Sequence, residues 1–307
     1  MTGHPPLCIV AGMPRAATTF LYHVLAEHPL VFAPFRKETN FFLTNHVRGM
    51  DWYLGLYADR APGQVCLDVS PAYYEDPASA ERIQAYPGPR KAILAVRDPA
   101  EQAVSWYAQQ LTHYSGFMGF QEFLTRWTVR RGDGEVTLEL ASGHFQGAMA
   151  AFRASLGPDL LLYDYAFFRR EPLQVLQAVE AFLGLDRHFT PATFTNRVVN
   201  ASSRLNFRPL TYLLSREAVI SAIEALVPRR LVLALRRGFD RLSAPRPRQP
   251  VAGPRDQARL DLARARLGAD EAAYRALFAD GPVLLGDGAR VELQPGPEKG
   301  HGVAEKG

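Results

Sequence analysis

Short runs of uninterrupted apolar residues alternate, over the first two-thirds of the chain, with stretches in which apolar positions recur every three or four residues. The run Leu7–Ala11 (LCIVA), bounded by Pro6 and Gly12, predicts a buried strand. From Thr18 to His28 the residues Phe20, Leu21, Val24 and Leu25 share one helical face, and Pro29 closes that helix. Further strands are predicted at Val65–Val69, Lys91–Val96 and Asp159–Tyr163. Helices are predicted at Ala100–Thr112 and at Glu171–Leu183, the second stopping at Gly184.

Apolar strands separated by amphipathic helices imply right-handed crossovers and a parallel sheet covered on both faces. The expected fold is therefore a three-layer α/β domain with a central parallel sheet. The pattern from Glu217 to about Phe278 is mostly helical, interrupted by the linker-like Ala244–Pro254 with its four prolines. A single domain over residues 1–285, with a helical C-terminal part from about 211, is the expected organisation. Residues 286–307 are rich in glycine, proline and charge, and are expected to form a disordered tail.

Composition narrows the class. With 307 residues, 47% apolar and 21% charged, the chain can bury a sizeable core, which excludes disorder or a collagen-like body. Two cysteines, Cys8 and Cys66, both in apolar runs, are too few for a disulfide framework and read as buried free thiols. No apolar run approaches the roughly 18–20 residues of a membrane span, and Met1–Pro6 lacks the features of a signal peptide. The expected location is the cytoplasm. Net charge is only +4, but Arg229–Arg266 holds 11 arginines, no lysine and three acids. That segment is either a basic surface for a polyanion or membrane, or the solvated face of amphipathic helices. Its scarcity of aromatics argues against nucleic acid. No spaced His/Asp/Glu set suggests a metal site.

Two loops carry candidate chemistry. Strand, loop and helix from Leu7 to His28 form the arrangement that presents free amides and a positive helix end to an anion. The loop Gly12-Met-Pro-Arg15-Ala16-Ala17-Thr18-Thr19 is P-loop-like. It places Ala17 and Thr18, however, where a nucleotide kinase has Gly and Lys, and carries its cation at Arg15 instead. Hydroxyl capping of an ordinary helix by Thr18 or Thr19 is the plainer alternative. In the second loop, Arg97 leaves the C-terminal end of an apolar strand, followed by Asp98-Pro99 and, eight residues after Arg97, by Ser105. A guanidinium and a hydroxyl converging there suit a phosphate monoester. The alternative for Arg97 is an ion pair with Asp98.

At these residues the sequence resembles the sulfotransferases that use 3′-phosphoadenosine 5′-phosphosulfate (PAPS). Gly12-Met-Pro-Arg-x-x-Thr-Thr looks like the family's 5′-phosphosulfate loop, and Arg97-Asp-Pro with Ser105 looks like its 3′-phosphate motif. Lys37-Glu38-Thr39-Asn40-Phe41-Phe42, Arg48-Gly-Met-Asp-Trp-Tyr53 and Ser70-Pro-Ala-Tyr73 resemble the heparan-sulfate branch, in order and at family-like spacing from residue 7 to about 210. The resemblance implies sulfuryl transfer from PAPS to an acceptor hydroxyl of a carbohydrate, glycolipid or small metabolite, releasing adenosine 3′,5′-bisphosphate. It implies that Arg15 neutralises the leaving phosphate and that the segment from Arg15 through Ala16, Ala17 and Thr18 to Thr19 holds the phosphosulfate. Arg97 and Ser105 would hold the 3′-phosphate, and Glu38, the acid of the E-x-x-F-F pattern, would be the general base. For Glu38 the alternative is a surface acid before a buried Phe pair.

The departures are specific. Val69 stands where the branch often has a lysine, and its cysteine-bracketed cofactor loop is missing; Asn200-Ala-Ser-Ser-Arg204 occupies roughly that place, where Arg204 would supply the lost cation. His113 falls where some relatives carry a histidine near the acceptor, or is simply a helix-terminal His favoured by the dipole. Tyr73 and Tyr74 either line the acceptor cleft or pack. A P-loop nucleotide kinase and a non-catalytic anion- or glycan-binding module are the rival readings.

Overall fold

The structure is a computed structural model describing residues 3–34, 36–113, 117–125, 127–131, 134–138, 144–194 and 254–293. At its centre is β1 (Leu7–Gly12), whose six residues are all buried because strands flank it on both sides and helices cover both faces. It runs parallel to β3 (Val65–Val69) on one side and β4 (Arg90–Val96) on the other. The two-residue β2 (Val31–Phe32) extends the sheet beyond β3, and β7 (Leu160–Asp164) runs parallel to β4. The last strand, β8 (Val283–Leu285), is antiparallel to β7, giving the order β2-β3-β1-β4-β7-β8.

The expected central parallel sheet is present, with one antiparallel strand added at its edge. There β8 supplies backbone partners to Leu161–Tyr163, which would otherwise present an open strand. A separate antiparallel pair joins β5 (Trp127–Arg131) and β6 (Gly134–Leu138).

The helices are α1 (Thr18–Leu25), α2 (Gly49–Gly55), α3 (Pro77–Gln84), α4 (Pro99–His113), α5 (Phe120–Phe123), α6 (His144–Leu156), α7 (Tyr165–Arg170), α8 (Pro172–Leu183), α9 (Pro254–Arg266) and α10 (Gly268–Leu277). Helix α1 ends three residues before the expected His28. The His28 ring is buried instead, and its Nδ1 accepts from the Leu30 N–H at 3.1 Å, turning the chain into β2. Helix α8 ends as expected at Gly184, whose φ of 70° lets Leu185 donate back to the Glu180 carbonyl.

Cys8 and Cys66 are free and buried, and burial pushes both thiols up to about 12, so neither is a ready thiolate. Ala263 and Leu267 pack against Ala100, Ala103 and Trp106 of α4, so the C-terminal helices form a second apolar cluster. In the arginine-rich segment, residues 229–253 lie outside the described residues. Beyond them, Arg259 pairs with Asp256 at 3.1 Å and lies over the Tyr107 ring, and Arg264 pairs with Glu271 at 3.4 Å. These arginines serve intramolecular contacts. The disordered tail expected from 286 is corrected for its first part: Gly286 donates to the Leu160 carbonyl and Val291 to Val283, while residues 294–307 lie outside the described residues. Among the described residues no helix is long and apolar enough to cross a membrane.

Candidate active site

Because β1, β3, β4 and β7 are parallel, their C-terminal ends share one edge of the sheet, and the loops leaving them converge there. The loop after β1 begins at Gly12, where a Cβ would sit 2.6 Å from Tyr74 Cβ; the glycine is required by this packing. Arg15 and Ala17 both adopt left-handed φ, 68° and 59°, at a cost of about 1 kcal/mol each for a residue with a side chain. Ala17 is the N-cap of α1 and no side chain caps the helix, so capping by Thr18 or Thr19 does not occur. The first-turn amides of α1 thus face the loop without a side-chain acceptor. Thr18 is buried and Thr19 is exposed.

The structure brings the two loops together. Arg15 Nε donates to Ser105 Oγ at 3.2 Å, and Arg97 Nη1 donates to the Arg15 carbonyl at 2.9 Å. Arg97 also bonds Glu101 at 3.3 Å through Nη2 and stacks on the Tyr165 ring, 5.0 Å from its centroid. The expected alternative of a pair with Asp98 is not seen; Asp98 instead accepts from the Glu101 N–H at 2.9 Å, starting α4. Burial, and after it the nearby Arg97 charge, hold the Arg15 guanidinium below its ordinary value. Two adjacent cations, a buried Arg97 Nε with no hydrogen-bond partner and an uncapped helix start form a donor set that suits an anionic group.

Glu38 lies on the loop that follows β2, two residues before Asn40, whose N–H donates to Ser70 Oγ just past the end of β3. Its carboxylate is exposed and pairs with Lys37 Nζ at 2.7 Å. The next residues are held rigidly by Asp68, a residue the sequence reading passed over. Asp68 is fully buried on β3 and accepts from Ser70 Oγ (2.7 Å), Thr39 Oγ1 (2.8 Å), Tyr73 OH (2.8 Å) and Tyr53 OH (3.0 Å). Burial pushes its carboxyl above the usual range, and the four hydrogen bonds pull it back. The signal was present: a lone acid in the apolar run VCLDV has to be buried with partners.

Tyr73 is fully buried in this network, which is a packing role, and Tyr74 is buried against Gly12 and the His144 ring. Val69 is buried, so no cation occupies its place. His113 is the last residue of α4, and its side chain lies outside the described residues, as does the whole of Arg204.

A three-layer α/β fold with a cationic loop at its switch edge defines an anion-binding class, and comparison with known proteins makes it specific. The family model of the sulfotransferase domain matches residues 5–208, and the chain belongs to that family. It is 28% identical over 192 residues to mouse heparan sulfate glucosamine 3-O-sulfotransferase 6, covering 62% of this chain and 55% of the relative. It is 28% identical over 226 residues to mouse bifunctional heparan sulfate N-deacetylase/N-sulfotransferase 4, covering 67% of this chain and 24% of the relative. The resemblance to the heparan-sulfate branch is borne out, with the chain spanning about half the length of the 3-O-sulfotransferases it matches. Among solved structures, a sulfotransferase from Alicyclobacillus acidocaldarius is similar at 21% identity and TM-score 0.49, covering 62% of this chain and 86% of that one. Mouse sulfotransferase SULT7A1 complexed with PAP is similar at 16% identity and TM-score 0.41, covering 86% and 89%.

Proposed function

We propose that this chain transfers the sulfuryl group of PAPS to an acceptor hydroxyl and releases adenosine 3′,5′-bisphosphate. The observation that carries this reading is the pairing of Arg15 and Arg97 beside the uncapped start of α1. PAPS, when bound, supplies the activated sulfuryl group on a phosphate leaving group. In the proposed site the α1 amides and Thr18–Thr19 hold the phosphosulfate, and Arg97 and Ser105 hold the 3′-phosphate. Arg204 adds a second cation and His113 an acceptor-side contact, both on the family resemblance.

The chemistry asked of the protein is positioning plus charge stabilisation in an in-line displacement. The acceptor oxygen forms a bond to sulfur as the sulfur–phosphate oxygen bond breaks. Glu38 takes the acceptor proton, and Arg15 stabilises the negative charge left on the phosphate oxygen. A positioned carboxylate typically contributes about 10²–10⁴-fold.

The acceptor class proposed is a carbohydrate-containing hydroxyl compound, supported by the names of the heparan-sulfate relatives. A nucleotide kinase fits less well, because Thr18 stands where its phosphate-binding lysine belongs. The test is release of adenosine 3′,5′-bisphosphate from PAPS with heparan sulfate as the first acceptor tried, against a background with water alone. Release by the wild-type chain supports the reading. Nucleotide binding without release in either condition would favour a non-catalytic anion- or glycan-binding module.

A further inference from the structure

Three successive backbone amides after Glu38 each donate to a hydroxyl, and each of those hydroxyls donates to the same buried carboxylate. Asn40 N–H donates to Ser70 Oγ at 3.0 Å, Phe41 N–H to Thr39 Oγ1 at 3.3 Å, and Phe42 N–H to Tyr73 OH at 3.2 Å. Ser70 donates onward to Asp68 Oδ1, and Thr39 and Tyr73 to Asp68 Oδ2. A hydroxyl has one proton, so giving it to Asp68 leaves its lone pairs free for the amide. The carboxylate thereby sets the direction of all three links.

The same loop is tied from its other side. Asn45 Nδ2 donates to the Thr39 carbonyl at 2.7 Å, and Ser79 Oγ to the Phe42 carbonyl at 3.1 Å. Asn40 holds a left-handed φ of 47°, a conformation that needs surrounding structure to maintain it. Glu38 itself is exposed and its carboxylate pairs with the neighbouring Lys37. Its reach is therefore set by the backbone on which it stands.

We infer that Asp68 is a positioning residue for the sulfuryl-transfer site: it mounts the Glu38–Phe42 backbone on β3 and so fixes where the Glu38 carboxylate can reach. This rests on the proposed role of Glu38 as the base. The mount is separate from the nucleotide loop, although the two share an edge of the sheet: Ser70 N–H donates to the Val10 carbonyl at 3.1 Å.

The experiment is a double-mutant cycle on the full chain with Asp68→Asn, Glu38→Gln and the pair together. It reads bisphosphate release from PAPS with heparan sulfate, or with water alone, alongside calorimetric affinity for adenosine 3′,5′-bisphosphate. A carboxamide cannot accept from all four hydroxyls, so Asp68→Asn is expected to lower kcat about tenfold or more while nucleotide affinity stays within about twofold. In the Glu38→Gln background the same change is expected to cost less than about twofold, because the residue it positions is already gone. Equal losses in both backgrounds would overturn the assignment, as would a parallel loss of nucleotide affinity. If Glu38→Gln alone leaves turnover intact, the base role fails first, and the inference falls with it. Absence of release by the wild-type chain overturns the proposed activity and this inference together.

Tyr73→Phe keeps the ring and its packing, so it carries the test should Asp68→Asn not fold. Amide exchange at Phe42 is then expected to quicken and kcat to fall without a change in nucleotide affinity; unchanged exchange and kcat would overturn the mount.

Discussion

Arg15 Nε donates to Ser105 Oγ at 3.2 Å across ninety residues of sequence, joining the loop after β1 to the helix after β4. Arg97, on the strand end between them, holds the Arg15 carbonyl at 2.9 Å. The two motifs thus form one bonded cluster, in which like charges lie close and the buried Arg97 Nε has no partner. A ligand carrying two anionic groups relieves both conditions at once.

Replacing Arg97 by alanine removes the centre of that cluster. The expected loss of affinity for adenosine 3′,5′-bisphosphate is about 1.5–3 kcal/mol, the scale of hydrogen bonds to charged groups. Calorimetry on wild type and Arg97→Ala checks it; equal affinities would take Arg97 out of the nucleotide site.

Glu38→Gln is expected to retain bisphosphate affinity and to lose at least about 10²-fold in kcat. Single-turnover release from PAPS separates the two quantities. Wild-type turnover in the variant would remove Glu38 from the base role and restore its reading as a surface acid.

Ala17 holds a φ of 59° at the start of α1, a conformation glycine adopts without strain. Ala17→Gly is therefore expected to raise unfolding free energy by up to about 1 kcal/mol, part of the gain being offset by the freer unfolded chain. Urea denaturation at fixed pH measures it, and a lower midpoint in the variant would show that the loop is not strained there.

His144 lies edge-on to Tyr74, and burial lowers its pKa below the ordinary imidazole value, with Asp270 opposing. A histidine kept neutral in the fold stabilises above its unfolded pKa of about 6.5, and that contribution is lost as pH falls toward the lowered folded value. Unfolding free energy should thus drop below about pH 6.5, and His144→Gln should flatten that part of the profile. Identical slopes in the two proteins would contradict the assignment.

The core of the fold was legible because the strands buried on both faces are continuous apolar runs: β1, β3, β4 and β7 all fall within one or two residues of the expected positions. Strands β2 and β8, at two and three residues, are too short for a pattern to register, and β8 runs into a glycine- and charge-rich stretch that reads as tail. The antiparallel edge was invisible for the same reason. In the site, Arg15, Arg97 and Ser105 were readable as motif residues, and their mutual bonding follows from the parallel order of β1 and β4. Asp68 was not read, because two of its partners, Thr39 and Tyr53, come from segments that only tertiary structure brings to the Ser70–Tyr73 turn beside it.

The most direct test of the proposed cosubstrate class is a magnesium-free calorimetric titration with adenosine 3′,5′-bisphosphate, with ADP and ATP as controls. Tight binding of the bisphosphate, weak binding of ADP and ATP, and loss of affinity in Arg97→Ala are the predicted results. No binding of the bisphosphate, or a magnesium-dependent preference for ATP, would contradict the account.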